Sequence, residues 1–552
     1  MQTIKLLFRM ILIISIMWCG QSYLWGQTVE WTWARAAGGE HYDQGTQITA
    51  TENGNIFVTG MFRSSSISFD SFTLTKSGQR DLFLVRYDQS GQVYWAASAV
   101  GSGFVWPWTM VHDSQGNILL AGMFLSSNLT FGSYTLVNKG EDDIFLVKYN
   151  DGGTVEWAVS AAGTGYDYAE DILTDEEGNI YMAGSFNGPN ITFGDQTFEG
   201  YPGDFDAYLV KYTSSGNFLW GIIAGGDGDD RAYGLDMDND GNIYITGMFH
   251  SPTMHFGSTT LTKKGFYDMF VAAFYNQGGV IWAKNAGETD YTCGKKIKVL
   301  NDNLYVAGEF NGASLQFDGF NLTNQGDYDL FLAKYDKAGH VQDAVSNGIN
   351  GTETINDMTV IHGNQIVLTG GTYNDASESL DILLALYKED MEVSNQIILG
   401  GSSDDEGFGV CARNNELYLT GRFASETIVF GEEELQNMGL DDVFVSTTAM
   451  GNGMDDIPSD LFNLEIYPNP SRGMTDIRYR IPVGNWQLAV GNAVDLSVYD
   501  IHGQKVITLA NGNQSQGEHI VRFNTSSLPA GIYILGLQAD DADLTRELMV
   551  TH

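Results

Sequence analysis

One unit recurs along this chain and limits what it can fold into. The copy from Gly178 to Trp220 reads GNIYMAGSF, a loop, then DAYLVKYTSSGNFLW. A Thr-Gly or Ala-Gly pair ends its first strand at Gly60, Gly122, Gly184, Gly247, Gly308, Gly370 and Gly421, in steps of 61 to 63 residues and a last step of 51. A second anchor, the Asp that opens the DxFLVKY strand, falls at Asp81, Asp143, Asp206, Asp268, Asp329, Asp381 and Asp442. Two independent anchors agreeing on seven copies define a repeat architecture, in which each unit buries its apolar faces against its neighbours.

Each copy contains four strand-like segments, here A to D. In the third copy they are DILTD, NIYMAGSF, DAYLVKY and NFLWGII. The A–B and C–D joints (DEEGN, TSSGN) are short and rich in Asp, Gly and Asn, residues that tolerate the positive φ of hairpin turns. Strand C is apolar on both faces, as in a sheet packed between two others. The basic residue in it (Arg86, Lys148, Lys211, Lys334) is expected to lay its stem on the sheet and carry its charge to water. Radial packing of such four-stranded units gives a β-propeller.

The strand count predicts closure. A strand-D signature, Trp-Ala or a relative, occurs at Trp33, Trp95, Trp157, Trp220, Trp282, Ala344 and Ile398. The first precedes every A strand, and none follows the last C strand. The segment VEWTWARA is therefore expected to supply the missing outer strand of the seventh sheet and leave no unpaired blade. Copy six, with Asp343-Ala344 in place of Trp-Ala and a shortened B–C loop, is expected to be the weakest sheet.

The pattern GNIYxTGxF…FG…L…DxFLVKYxxxGxxxWAxxxGG resembles the secreted bacterial β-propeller repeat (SBBP-type) family over residues 28 to about 449. That resemblance implies a seven-bladed propeller in an extracellular setting and no general catalytic residues. The full expectation is an all-β chain: signal peptide 1–27, propeller 28–449, linker 450–463, and a small β-sandwich over 464–552.

The first segment reads as an export signal. Lys5 and Arg9 precede the apolar run Met10 to Trp18, too short to span a bilayer and suited to a cleaved leader ending near Gly26 and Gln27. No later apolar run is long enough to cross a membrane. Cys19, Cys293 and Cys411 are too few for a disulfide framework, and the last two are read as buried thiols. The net charge of −41 lacks any basic patch for phosphate neutralisation, which excludes nucleic-acid binding through such a surface.

The C-terminal segment differs in composition. It carries YPNP at Tyr467 to Pro470, Gly473, LSVYDIHGQKV at Leu496 to Val506 and SLPAGIYIL at Ser527 to Leu535. Turn signals divide it into six or seven short strands, the pattern of a small sandwich. These ordered motifs are similar to the C-terminal sorting domain of the type IX secretion system of Bacteroidetes-type bacteria. The resemblance implies passage to the periplasm, export by that machinery, and a secreted or cell-surface location.

Three groups of residues invite a functional reading. DMDNDGN, Asp236 to Asn242, begins like a calcium loop, but position twelve is Gly247, without the bidentate Glu. It is read as an A–B hairpin turn. The Asn-X-Thr triplets at Asn128, Asn190 and Asn321 are read as part of a short strand preceding Phe-Gly. The D–A crossovers carry acids copy after copy: Asp43, Asp167, Asp229, Asp230, Asp290, Glu353, Asp404 and Asp405. They form either turns or, at a common tunnel mouth, a site for calcium. Copy two instead places FVWPW there, with Trp106 and Trp108 as a glycan or peptide platform, or as packing between blades. No catalytic signature is present. The expected function is an extracellular or surface binding protein; the alternatives are a polysaccharide hydrolase or lyase on the tunnel face, or a structural envelope component.

Overall fold

The computed structural model describes residues 29–450 and 464–551, apart from 202–203, 289, 349–350, 362–363, 375–377, 414, 468, 482–491, 500–504, 515–516 and 540–541. The leader with Cys19, and the linker beyond Met450, lie outside the described residues. The fold is all-β, with one short 3-10 turn at Thr525–Ser527 among the described residues. No helix among them is long and apolar enough to cross a membrane. Two compact units divide between Ala449 and Met450.

In the first unit a repeat folds as a four-stranded antiparallel sheet whose spatial order A–B–C–D follows the chain. The third copy pairs Asp167–Thr174, Ile180–Asn187, Phe205–Tyr212 and Phe218–Ala224 in that order. The sheets whose A strands start at Asp43, Asp230, Thr292 and Glu353 repeat it, the copy-six sheet included. Asp405–Arg413, Glu416–Phe423 and Asp442–Met450 take their fourth strand from the other end of the chain, Val29–Ala37.

Both anchors have a local cause. Opposite each Gly anchor strand A carries a β-bulge, as between Ala169 and Asp171. A Cβ on Gly184 would sit 2.0 Å from the Tyr168 carbonyl oxygen, and one on Gly60, Gly308 or Gly421 equally close to Gln44, Cys293 or Glu406. Only glycine lets the two backbones approach there. The Asp anchor folds back on the loop before it: Asp268 accepts from the amides of Lys264 and Gly265 at 2.9 and 2.7 Å, and Asp329 from Gln325 and Gly326 at 2.8 and 3.1 Å. Its carboxylate also abuts the glycine that ends strand D. A Cβ on Gly225 would lie 1.9 Å from Asp206 Oδ1.

The strand-D tryptophans join successive sheets. Trp95 Nε1 donates to the Asp151 carbonyl at 3.0 Å and Trp282 Nε1 to Lys337 at 2.9 Å, each carbonyl lying in the next sheet's C–D turn. The positive-φ glycine of that turn lies on the indole, so a Cβ on Gly153 or Gly339 would meet the ring at 2.9 Å.

Three expectations need correction. Lys148 does not carry its charge to water: its Nζ lies 2.9 Å from Asp113 of the A–B turn, with both side chains buried. Lys211 reaches Asp175 at 3.5 Å in the same way. Strand C lies inside the sheet, so the ammonium finds the turn carboxylate before it reaches solvent. The B–C loops also contain a hairpin of their own, such as Asn128–Phe131 with Tyr134–Val137. Asn128 and Asn190 lie in the first strand of such hairpins, but Asn321 lies in the second, Phe320–Thr323, after the turn glycine. Of the two cysteines, Cys293 is buried, while Cys411 is partly exposed; both are free thiols.

In the second unit, Leu464–Tyr467, Met474–Ile481 and Gly517–Asn524 form one sheet. Lys505–Gln514, Asn492–Tyr499, Gly531–Ala539 and Ala542–Val550 form the other. Ile477, Tyr479 and Phe523 from the first sheet meet Leu496, Val498, Leu535 and Leu548 from the second in one buried core. Two sheets sharing one core make a sandwich.

Candidate functional site

In each repeat sheet the start of strand A, the end of B and the start of C lie at one edge, as the register Asp43–Phe62–Asp81 shows. At this edge a residue before strand C bridges, in parallel, a residue before the A strand of another sheet. The bridges are Arg80 with Phe104, Asp142 with Tyr166, Tyr267 with Tyr291, Tyr328 with Thr352, and Asp441 with Tyr42. The bridged positions form an aromatic rim. Tyr42 and Tyr166 are exposed, and Tyr291 lies 5.7 Å from Tyr267 and 5.8 Å from Tyr328, ring centroid to centroid.

Within this edge lies an open cavity of about 400 Å³. Three sheets border it: Tyr42, Gln44, Met61, Arg63 and Arg80 come from one, Trp106 from the next, and Glu406, Phe408, Arg422 and Asp441 from the sheet that holds Val29–Ala37. The Trp106 and Trp108 rings are stacked, 4.6 Å apart and tilted by 16°. Neither indole N–H has a hydrogen-bond partner among the described residues. The Arg80 guanidinium lies over Trp106 at 4.1 Å and over Phe104 at 5.2 Å. Arg422 holds both carboxylates of the cavity, Asp441 at 2.9 Å and Glu406 at 3.3 Å.

The crossover acids occupy separate local networks. Asp43 accepts from the Ser64 hydroxyl at 2.6 Å and from the amides of Arg63 and Ser64. Asp230 repeats this with Ser251 and His250, and Asp405 with Ser425 and Ala424. Asp229 pairs with Arg231 at 2.7 Å, and Asp404 accepts from the Leu380 amide at 2.9 Å. Asp167 is buried beside Gly163, Glu353 is buried at the head of its A strand, and Asp290 is exposed. No group of three or more His, Cys, Asp or Glu side chains placed to hold a metal occurs among the described residues. Asp238 of DMDNDGN closes its own turn, accepting from the Asp240 and Asn242 amides and the Tyr244 hydroxyl, each at about 3 Å.

Burial shifts several of these acids. The Asp167 carboxyl is pushed up to about 8 by desolvation, reinforced by Asp143 and Asp142. Asp206 rises to about 7 and Asp230 to about 6, again chiefly from burial. Away from the cavity, Glu170 on its A strand rises to about 7 for the same reason, although Arg231 and Lys295 oppose the shift.

Sequence reasoning passed over Arg63, Arg80 and the aromatic rim. The signal was present: an aromatic residue directly precedes strand A at Tyr42, Phe104, Tyr166 and Tyr291.

Residues 465–551 match the family model described as a secretion system C-terminal sorting domain. The chain therefore carries a type IX sorting tail, which marks it for export to the medium or the cell surface. Among curated proteins it is 24% identical over 362 residues to an uncharacterized WD repeat-containing protein, L264, of Acanthamoeba polyphaga mimivirus, covering 52% of this chain and 26% of that protein. It is 23% identical over 365 residues to the regulatory protein FlaEY of Caulobacter vibrioides, covering 60% of this chain and 37% of that one. The chain thus spans between a quarter and two fifths of the length of these relatives. Among solved structures it is similar to the WD40 β-propeller domain of Doa1, at 10% identity and a TM-score of 0.39 over 77% of this chain and 98% of that one. A Trypanosoma rangeli sialidase aligns at 9% identity and a TM-score of 0.32, over 92% of this chain and 84% of that one.

Proposed function

We propose that this chain is a binding protein exported through its type IX sorting tail, folded as a closed seven-bladed β-propeller that takes its ligand at one mouth of the central tunnel. Four features support the closed ring. The strand Val29–Ala37 pairs with Asp442–Met450, Trp33 reaches the turn of the first repeat, Asp441 bridges Tyr42, and a Cβ on Gly45 would meet Thr420 Oγ1 at 2.2 Å. A leader at 1–27, a bacterial origin and kinship with the SBBP-type repeats belong to the same reading.

The observation that carries the binding function is the cavity itself, lined by Tyr42, Phe408 and Trp106, with Trp108 stacked behind Trp106. Concave, largely apolar sites with a few convergent polar groups are where small ligands bind. Flat aromatic side chains offer large contact area with a polar handle, suiting sugar rings. Because Glu406 and Asp441 are both tied to Arg422, the cavity's carboxylates favour binding over acid–base chemistry. A glycan and peptide array probed with the full chain and with Trp106→Ala tests this. Retention of hits that vanish in the variant is expected; hits unaffected by Trp106→Ala would move the site elsewhere.

A further inference from the structure

Arg80 is a cation without a counter-charge. It is 9% exposed, it lies over the Phe104 and Trp106 rings, and its Nε has no hydrogen-bond partner among the described residues. Arg63 stands beside it over Tyr42 and Phe104, at 5.9 and 5.7 Å. Among the described residues no carboxylate pairs with either one, since Glu406 and Asp441 are taken by Arg422. Burial and the like charge of Arg63 pull the Arg80 pKa down to about 10.

This arrangement is unexpected in a chain with 69 acidic residues against 28 Lys and Arg. A desolvated guanidinium without a partner is costly, so its persistence in a cavity points to an anion supplied from outside.

We propose that the cavity binds the carboxylate of a terminal uronic acid, with the Arg80 fork gripping the carboxylate and the sugar ring lying among Tyr42, Trp106 and Phe408. The proposal rests on the reading of this mouth as the ligand site and names the ligand class. A guanidinium packed on aromatic rings presents a planar fork, which suits a planar carboxylate taken in two parallel hydrogen bonds. Three arginines against two carboxylates leave one positive charge, the match for one negative group. The surrounding net charge of −41 repels an extended polyanion, and Glu406 and Asp441 disfavour a peptide rich in acids. Gln44 supplies an acceptor for a ring hydroxyl, and about 400 Å³ accommodates a single sugar ring with its neighbour.

The test is calorimetric titration of the full chain with D-glucuronate, D-glucose and N-acetylglycine, with indole fluorescence as a second readout. Glucuronate is expected to bind and to perturb the fluorescence, and glucose to bind at least about tenfold more weakly. Arg80→Gln should lower glucuronate affinity by about tenfold or more. Arg80→Lys, which keeps the charge and loses the fork, should lower it by a smaller factor, and Lys388→Gln, in a different sheet, should leave it unchanged. Melting curves for each variant separate loss of binding from loss of fold. Equal binding of glucose and glucuronate, equal binding of N-acetylglycine, or glucuronate affinity unchanged in both Arg80 variants would overturn the proposal. If glucuronate fails but a neutral glycan binds in a manner lost with Trp106→Ala, the mouth remains the ligand site and only the acidic-sugar assignment falls. If nothing binds there, both fall.

Discussion

The indole Nε1 of Trp33 donates a 3.0 Å hydrogen bond to the carbonyl of Gln89, and the ring lies on the positive-φ Gly91 of the same turn. This is the contact that Trp95 and Trp282 make with Asp151 and Lys337 at internal junctions. Trp33, however, belongs to Val29–Ala37, the first described strand, which completes the last repeat sheet. The sheet that holds Val29–Ala37 is therefore fastened to the first repeat sheet by the same latch that joins the internal pairs. Trp33 is 5% exposed, so Trp33→Ala is expected to cost about 3 kcal/mol in urea unfolding, similar to Trp282→Ala. A neutral Trp33→Ala beside a damaging Trp282→Ala would show that this junction is not equivalent to the rest.

Gly225→Ala is expected to destabilise the fourth repeat's entry by more than the half to one kcal/mol that a Gly→Ala change typically gains at a compatible site, about 2 kcal/mol in net loss. The new methyl would fall 1.9 Å from Asp206 Oδ1, and that carboxylate is held by the Tyr201 amide at 2.7 Å. Gly279→Ala, whose nearest neighbour is a Tyr275 ring carbon at 3.4 Å, serves as the control. Equal unfolding midpoints for the two variants would contradict the close-approach account.

The repeat was legible in the sequence because its anchors act within one sheet. Gly184 is fixed by the bulge beside it and Asp268 by a loop four residues away, so each copy displays the same letters for the same local reason. The fourth strand of the last sheet was legible by counting. The cavity was not. Arg63, Arg80 and Arg422 come together only after distant repeats meet, and Arg80 occupies a position that other copies fill with Asp142, Tyr267, Tyr328 or Asp441. Its oddity appears only when copies are aligned on the bridging residues. Lys148 was misread for a related reason: its buried partner Asp113 lies on another strand connection.

Stability should fall as pH rises from about 4 to 8. Asp167, Asp206, Asp143 and Asp442 have folded pKa values raised to about 8, 7, 6 and 6, above the unfolded value of 3.8, chiefly by burial. A carboxyl whose pKa is raised on folding binds its proton more tightly in the native state. Its contribution is complete below the unfolded pKa and is lost as pH passes through the folded one. A decline in Tm of several degrees across this interval is expected, and Asp167→Asn, which cannot ionise, should make it shallower. A Tm that climbs steadily to about pH 8, or the same decline in Asp167→Asn, would contradict these assignments.

Millimolar calcium is expected to leave the melting temperature unchanged. Asp43, Asp230 and Asp405 each already accept a serine hydroxyl and backbone amides, and Asp229 is paired with Arg231. A cation would have to break these bonds before gaining ligands. A calcium-dependent rise in Tm that disappears in the Asp229→Asn, Asp290→Asn double variant would instead establish the crossover acids as a cation site.

The proposed closure of the repeat array through Val29–Ala37 underlies the ligand site, since the cavity is walled by the first, second and last repeat sheets together. Amide hydrogen exchange of Val29–Ala37 tests this most directly. Paired with Asp442–Met450 in the native sheet, these amides are predicted to exchange with protection close to that of their partner strand and to lose it only with the repeats as a whole. Exchange of Val29–Ala37 at the rate of an unpaired chain, while Asp442–Met450 and the other C strands stay protected, would contradict it.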